Sequence, residues 1–175
     1  MSRVVSWLQQ HENQLFFWVN RRLQHAILDR AFAVITHLGG ASVTILVCLS
    51  LLLLASGDWR IAALQSLVAL IASHLPVHLV KKKYPRKRPY LVHPGVNLCK
   101  NPLKDHSFPS GHSTAIFSVI VPFVAVASLL GLLLVPLAFA VSVSRIYLGL
   151  HYPSDCIAGI VLGSATAFLS VAFVG

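Results

Sequence analysis

Two histidines stand in surroundings suited to phosphoryl chemistry. His151 is followed by Tyr152, Pro153, Ser154 and Asp155. Proline suits the first turn of a helix, where its missing N–H costs nothing, so a helix is expected to start at Pro153. His151 then precedes that helix and Asp155 falls in its first turn. There the carboxylate can hold one imidazole nitrogen and leave the other free to attack, the orienting logic of a catalytic triad. His112 follows Pro109, Ser110 and Gly111. Ser110 is a natural N-cap, and Gly111 permits close backbone approach. The helix start offers N–H groups and partial positive charge to an anion, with His112 in the first turn beside it. Taken alone, this segment reads first as an ordinary cap with an interfacial histidine.

Cations accompany both histidines. Arg145 lies near the end of an apolar stretch, where a charge is costly in lipid unless it faces a polar partner or cavity, so it reads as an anion ligand. Snorkelling to the headgroups, or a salt bridge to Asp155, is the rival reading. Lys81, Lys82, Lys83, Arg86, Lys87 and Arg88 crowd together ahead of Pro89. For Lys82, Lys83 and Lys87 a solvated cluster holding anionic headgroups suffices. Lys81 differs, because His74, His78 and Lys81 fall at helical spacing on one face, which is expected to turn toward a bundle. His74 and His78 have the i, i+4 spacing of a metal pair, but no nearby carboxylate or cysteine completes a site, so no metal is expected.

These residues must be positioned by an apolar chain. The sequence is 56% hydrophobic and 11% charged, with a mean hydropathy of +0.75, the composition of a membrane protein. About 20 apolar residues cross a hydrocarbon core. Thr36 to Ala55 and Ile61 to Val80 qualify as spans, separated by the turn Ser56, Gly57, Asp58. His112 to Leu148 is too long for one helix and splits at Gly131, and Cys156 to Val174 is the last span. The expectation is an all-α, multi-pass transmembrane helix bundle of about five spans, with six as the alternative, forming a single domain over residues 1–175. Residues 1–30 carry Val4, Trp7, Leu8, Leu15, Trp18, Val19 and Leu23 at roughly helical spacing. They read as an amphipathic helix in the membrane interface, or one packed against the bundle. Splitting the third region returns the chain to the side it left, so the polar loop 81–111 and the segment 145–155 share one membrane face. Long polar loops carry function, and residues 81–111 are the expected active-site loop.

The net charge is +9, but no soluble face carries a basic stripe, so nucleic acid is not an expected partner. Of three cysteines, Cys48 and Cys156 lie in apolar runs and Cys99 in a polar loop, which is no disulfide framework. The first thirty residues lack a clean apolar core of the secretory kind.

Lys81 with Arg88 and Pro89, then Pro109, Ser110, Gly111 and His112, then Ser144, Arg145, His151 and Asp155, occur in order and at the spacings of a three-part signature. The chain resembles the type 2 phosphatidic acid phosphatase superfamily, in particular its short bacterial membrane members. The resemblance implies an enzyme in which His151 attacks phosphorus, Asp155 holds and charge-balances His151, and His112 protonates the departing oxygen. It also implies that Lys81, Arg88, Ser110, Gly111 and Arg145 bind phosphate, with no cofactor. The expected activity is metal-independent hydrolysis of a membrane lipid phosphate or diphosphate through a phosphohistidine. Undecaprenyl diphosphate, phosphatidylglycerol phosphate and phosphatidic acid are candidate substrates, and Tyr90 to Leu103 is the expected selectivity loop.

Two rival functions stand beside it: a lipid-linked phosphotransferase of the same fold, and a non-catalytic membrane protein that binds anionic lipid. The positive-inside rule assigns the basic face, with Arg3, Arg21, Arg22 and Arg30, to the cytoplasm. Bacterial relatives, by resemblance, usually turn this face outward from the inner membrane, and the outward placement is the expectation, because phosphate binding explains the cations of the signature. The oligomeric state is left open.

Overall fold

A computed structural model describes residues 3–98 and 102–175, and every regular element among them is helical. Helix α1 (Arg3–Phe17) runs into a π turn (Trp18–Arg22), and α2 (Ala26–Ile35) into a 3-10 turn (Thr36–Gly39). Then come α3 (Ala41–Leu54), α4 (Gly57–Lys83), the short α5 (Pro89–Val92), α6 (Gly111–Val126), a 3-10 turn (Ser128–Leu130), α7 (Gly131–Tyr147) and α8 (Pro153–Phe173). Cys99, the thiol of the polar loop, lies outside the described residues.

The ends of the elements follow local chemistry. Ser110 caps α6, its hydroxyl accepting from Ser113 N at 3.4 Å. Pro153 opens α8, and Asp155, in its first turn, reaches back to accept from the Tyr152 backbone N–H at 2.7 Å, closing orphan donors at the helix start. The long apolar region breaks where the split was expected, with α7 starting at Gly131. The first expected span differs. Thr36 to Ala55 is not one straight helix, because Gly40 is extended, and Ala26–Gly39 meets Ala41–Leu54 at 54°.

Helix α6 forms the centre, packed most extensively on α8 and α4. Small residues allow this: a Cβ on Gly159 would sit 2.5 Å from the Ser110 carbonyl oxygen, and one on Gly163 would strike the Thr114 carbonyl oxygen. Ala62, Ala63, Ala69 and Ala115 are buried around the same contact. Hydroxyls bond across it, Ser66 Oγ to Val119 O at 2.9 Å, Ser118 Oγ to Ser73 Oγ at 3.0 Å and Ser170 Oγ to Gln65 O at 2.8 Å. Small residues and hydroxyls at helix contacts are the way helices associate in lipid, where apolar burial gives no drive.

The outer surface is apolar, with Leu53, Leu54, Leu129, Leu132 and Phe173 exposed. Helix α4, the stretch Ser128–Tyr147 and α8 are each long and apolar enough to cross a membrane, and the bent pair through α2 and α3 makes up to four. Helix α6 is apolar but shorter, at 16 residues. The chain is an integral membrane protein.

Helix α1 is docked on the bundle through Phe16, which is fully buried and packs with Val19, Tyr147 and Tyr152. Asn20 ties the following turn down, donating to the Tyr147 carbonyl at 2.7 Å and the Asn97 carbonyl at 2.9 Å. Val4, Trp7, Leu8, Leu15 and Trp18 are exposed.

Candidate active site

At the start of α8, Asp155 is fully buried and surrounded by donors. Its Oδ2 accepts from the Ser107 hydroxyl as well as from Tyr152 N, and its Oδ1 accepts from Arg86 Nη1 at 2.8 Å. His151 Nδ1 lies 3.6 Å from Asp155 Oδ2 and has no hydrogen-bond partner among the described residues. The two groups are therefore in contact without a formed hydrogen bond. Burial pushes the His151 imidazole down to about 4; Asp155 opposes this, while Arg145 and Arg88 add to it.

The loop 81–111 and the segment 145–155 meet here. Arg88 has no exposed side-chain surface, and its Nη1 stands 2.8 Å from the Leu150 carbonyl and 3.1 Å from His151 Nε2. Its Nε and Nη2 bond Asp105, to the carbonyl at 2.8 Å and to Oδ1 at 2.6 Å. Lys81 Nζ reaches Asp105 Oδ2 at 2.5 Å, so one carboxylate gathers both cations. Burial raises the Asp105 carboxyl, but the hydrogen bonds and charges of Lys81 and Arg88 outweigh it and hold the group at about 2.

Helix α6 joins through its first residues. Ser110 N donates to the Asp155 carbonyl at 2.9 Å, which binds the two helix starts together. The Ser110 hydroxyl is fully buried and accepts from Ser113 Oγ at 3.2 Å as well as from Ser113 N. Its observed work is that of a cap. At Gly111 a Cβ would meet nothing within 4 Å, so the space beside this backbone is open. His112 is half-buried and lies within electrostatic reach of Arg145, His151, Arg88 and His37.

His112 and Arg145 line a cavity of about 780 Å³, walled further by Thr36, His37, Arg30 and Leu103. Arg145 is buried, with Nη1 on Thr36 Oγ1 at 2.7 Å. His151 is 1% exposed and does not line this space. The anticipated residues thus form one cluster. Lys81 and Arg88 are joined by Asp105, Arg88 touches His151, Asp155 flanks it, and His112 and Arg145 open onto the cavity. The face formed by His74, His78 and Lys81 does not turn inward along its length: His78 is exposed, and His74 Nδ1 bonds the Leu70 carbonyl at 2.8 Å. Among the described residues no group of three or more histidine, cysteine or acidic side chains could hold a metal ion.

Arg86, Asp105, Ser107 and Glu12 were not singled out from sequence. One signal pointed to the two acids among them: the chain has only five carboxylates, and in a membrane protein each is costly unless engaged. Four of them, Glu12, Asp29, Asp105 and Asp155, bond side chains of the site or its surroundings. Clustered cations and a flanked imidazole suit transfer of a phosphoryl group, whose charge sits on its equatorial oxygens.

A family model described as the PAP2 superfamily matches residues 62–175. YbjG of Escherichia coli (strain K12), provisionally named an undecaprenyl-diphosphatase, is 36% identical over 111 residues, covering 60% of this chain and 56% of that protein. The bacitracin transport permease protein BcrC of Bacillus licheniformis is 32% identical, over 62% of this chain and 53% of its own. The lipid A 1-phosphatase of Rhizobium etli is 31% identical, over 57% of this chain and 45% of its own. The match thus spans about half the length of these relatives. Among solved structures, Aquifex aeolicus LpxE superposes with a TM-score of 0.82 at 24% identity, over 91% of this chain and 94% of that one. A transmembrane PAP2-type phosphatidylglycerolphosphate phosphatase from Bacillus subtilis superposes with a TM-score of 0.76 at 22% identity, over 98% of this chain and 87% of that one. Both likenesses are of fold.

Proposed function

This chain belongs to the PAP2 superfamily, and from that membership we propose that it hydrolyses a lipid phosphate or diphosphate through a phosphohistidine on His151. In the first step His151 Nε2 forms the N–P bond as the P–O bond to the lipid breaks. His112 gives its proton to the departing oxygen. Water then attacks phosphorus, His112 takes its proton, and the N–P bond breaks to free inorganic phosphate and His151. Asp155 stabilises the proton carried on Nδ1. Lys81, Arg88, Arg145 and the Gly111 N–H hold the equatorial oxygens, with Ser110 keeping the α6 start in shape; these cations supply the positive charge, and the reaction is metal-independent.

The observation that carries this reading is the setting of His151, with a guanidinium donor 3.1 Å from Nε2 and a buried carboxylate on the Nδ1 side. The test is phosphate release by the purified chain from a panel of lipid phosphates, in EDTA, with His151→Ala beside it. Native activity that survives EDTA, is blocked by vanadate and vanishes in His151→Ala is expected. Loss of activity in EDTA that added metal restores would sink the metal-free mechanism. Prenyl diphosphate is the favoured substrate, supported by the naming of the Escherichia coli relative.

Five spans, α3, α4, α6, α7 and α8, fit the topology, with α1 and the turn after it lying in the headgroup layer, Trp7 of the helix and Trp18 of the turn outward. Residues 1–175 act as one domain, with 81–111 as its active-site loop. The site faces outward from the cytoplasmic membrane. Local structure accounts for two of the arginines that argue otherwise: Arg21 bonds the Gly95 carbonyl at 2.9 Å, and Arg30 borders the cavity. The expected outcome is labelling of Lys87→Cys, in a chain with Cys48, Cys99 and Cys156 replaced, by an impermeant reagent on intact cells. Labelling only after lysis reverses the placement.

A further inference from the structure

Glu12 lies in α1, upstream of the region matched by the family model, yet it reaches the start of α8. Its Oε1 accepts from Ser154 N at 3.1 Å and from the Ser154 hydroxyl. Its Oε2 accepts from Arg86 Nη2 at 2.6 Å, and Arg86 Nη1 donates onward to Asp155 Oδ1 at 2.8 Å and Ser154 Oγ at 2.7 Å. The guanidinium also stacks 4.0 Å over the Tyr152 ring, which packs against Phe16 of α1. The carboxylates at the two ends are 15% and 0% exposed, and Arg86 between them 31%. Such a chain of charges, largely withdrawn from water, is held more firmly than an exposed surface pair.

The arrangement has an electrostatic logic. Arg86 alone, on Asp155 Oδ1, would offset the negative charge that Asp155 presents to His151. Glu12 restores it, so the row of acid, base and acid keeps one net negative charge beside the imidazole. The same carboxylate fixes Ser154, one residue before Asp155, and so holds the first turn of α8 in the orientation that aims His151. We infer that Glu12 and Arg86 are positioning residues for phosphoryl transfer, acting through Asp155, and that the N-terminal helix completes the active site. This rests on the phosphohistidine reading above.

The test uses the full chain in detergent, with release of inorganic phosphate from a short-chain lipid phosphate. In Glu12→Gln the amide still accepts from Ser154 but loses its charge against Arg86; in Arg86→Gln the bridge to Asp155 goes. Each is expected to lower kcat by about 10- to 100-fold with KM within about threefold, as for an interaction that matters in the transition state. The double variant should be no slower than the slower single one, because the residues act as a unit. Arg86→Lys should recover part of the loss. Breaking a partly buried charge network also lowers stability, so thermal unfolding midpoints are read beside the rates, and the order of the rate losses is expected not to follow the order of the midpoints. Native kcat in Glu12→Gln, losses that multiply in the double variant, or losses that track the unfolding midpoint would each overturn the inference. A native chain that releases no phosphate from any lipid phosphate defeats the parent reading instead.

Discussion

Arg88 Nη1 approaches His151 Nε2 at 3.1 Å, and because a guanidinium only donates, the ring nitrogen facing it must carry the lone pair. The proton of the neutral imidazole then sits on Nδ1, toward Asp155 Oδ2 at 3.6 Å. In the proposed mechanism Nε2 is the nucleophile; the contact sets a permanent cation beside the bond it would form, and this hydrogen bond must open for the lone pair to reach phosphorus. Arg88→Ala is expected to lower kcat/KM by about 10² to 10³, the range seen when one preorganised donor is removed. Arg88→Lys should recover little of it, since one ammonium cannot reproduce the fork that spans Leu150, His151 and Asp105. Steady-state phosphate release decides, and a Lys variant near native activity would reduce Arg88 to a simple counter-charge.

In the proposed mechanism the acid limb of activity reports His151. Its imidazole must be neutral to attack, and burial first, then the charges of Arg145 and Arg88, hold it down at about 4 against the opposing pull of Asp155. Activity is therefore expected to persist as pH falls through 6.5, where a free imidazole would protonate, and to be lost as pH falls through about 4. In Asp155→Asn the group that raises His151 is gone, so the limb should move lower still while the rate drops. The pH dependence of kcat/KM in both proteins checks the sign. An acid limb near 6.5 would mean that His151 is solvated in the working enzyme.

The legibility of this chain divides along one line. Helix starts were readable because their signals are local: Pro153 with Asp155 two residues on, Ser110 before Gly111, and the break at Gly131. So were the residues of the three-part signature, whose spacing is short within each part. The bend at Gly40 was not readable, because hydropathy runs on through it from Thr36 to Ala55. Nor was the bond between Glu12 and Arg86, whose partners stand 74 residues apart. The apolar stripe of α1 suits a lipid interface and a protein surface alike, so its docking through Phe16 needed tertiary structure to appear.

Asp105 occupies both Lys81 and Arg88, the cations assigned to phosphate. A carboxylate there competes with an incoming anion, so neutralising it should free them. Asp105→Asn is expected to tighten inhibition by vanadate by up to about fivefold, equivalent to the ~1 kcal/mol upper range for a partly exposed ion pair. Its side chain is 52% exposed, which argues against a larger effect. Weaker vanadate inhibition would show instead that Asp105 orients the two cations for phosphate rather than competing with it.

Two alanine substitutions along the same helix pair should separate packing from chemistry. At Gly163 an added Cβ strikes the Thr114 carbonyl and lies 3.1 Å from Ser118 N. Both are backbone atoms that cannot swing aside. Gly163→Ala must therefore push α8 from α6, at a typical overpacking cost of about 1–3 kcal/mol, seen as a lower unfolding midpoint in detergent with activity falling in step. At Gly111 nothing lies within 4 Å of a built Cβ, and alanine is the better helix former by up to about 1 kcal/mol. Gly111→Ala should therefore unfold no earlier than the native chain. Its methyl group would nevertheless stand where a phosphate must approach the backbone N–H, so kcat/KM should fall by about tenfold or more, the effect of losing one good transition-state contact. Full activity in Gly111→Ala would show that phosphate does not approach the start of α6 from that side.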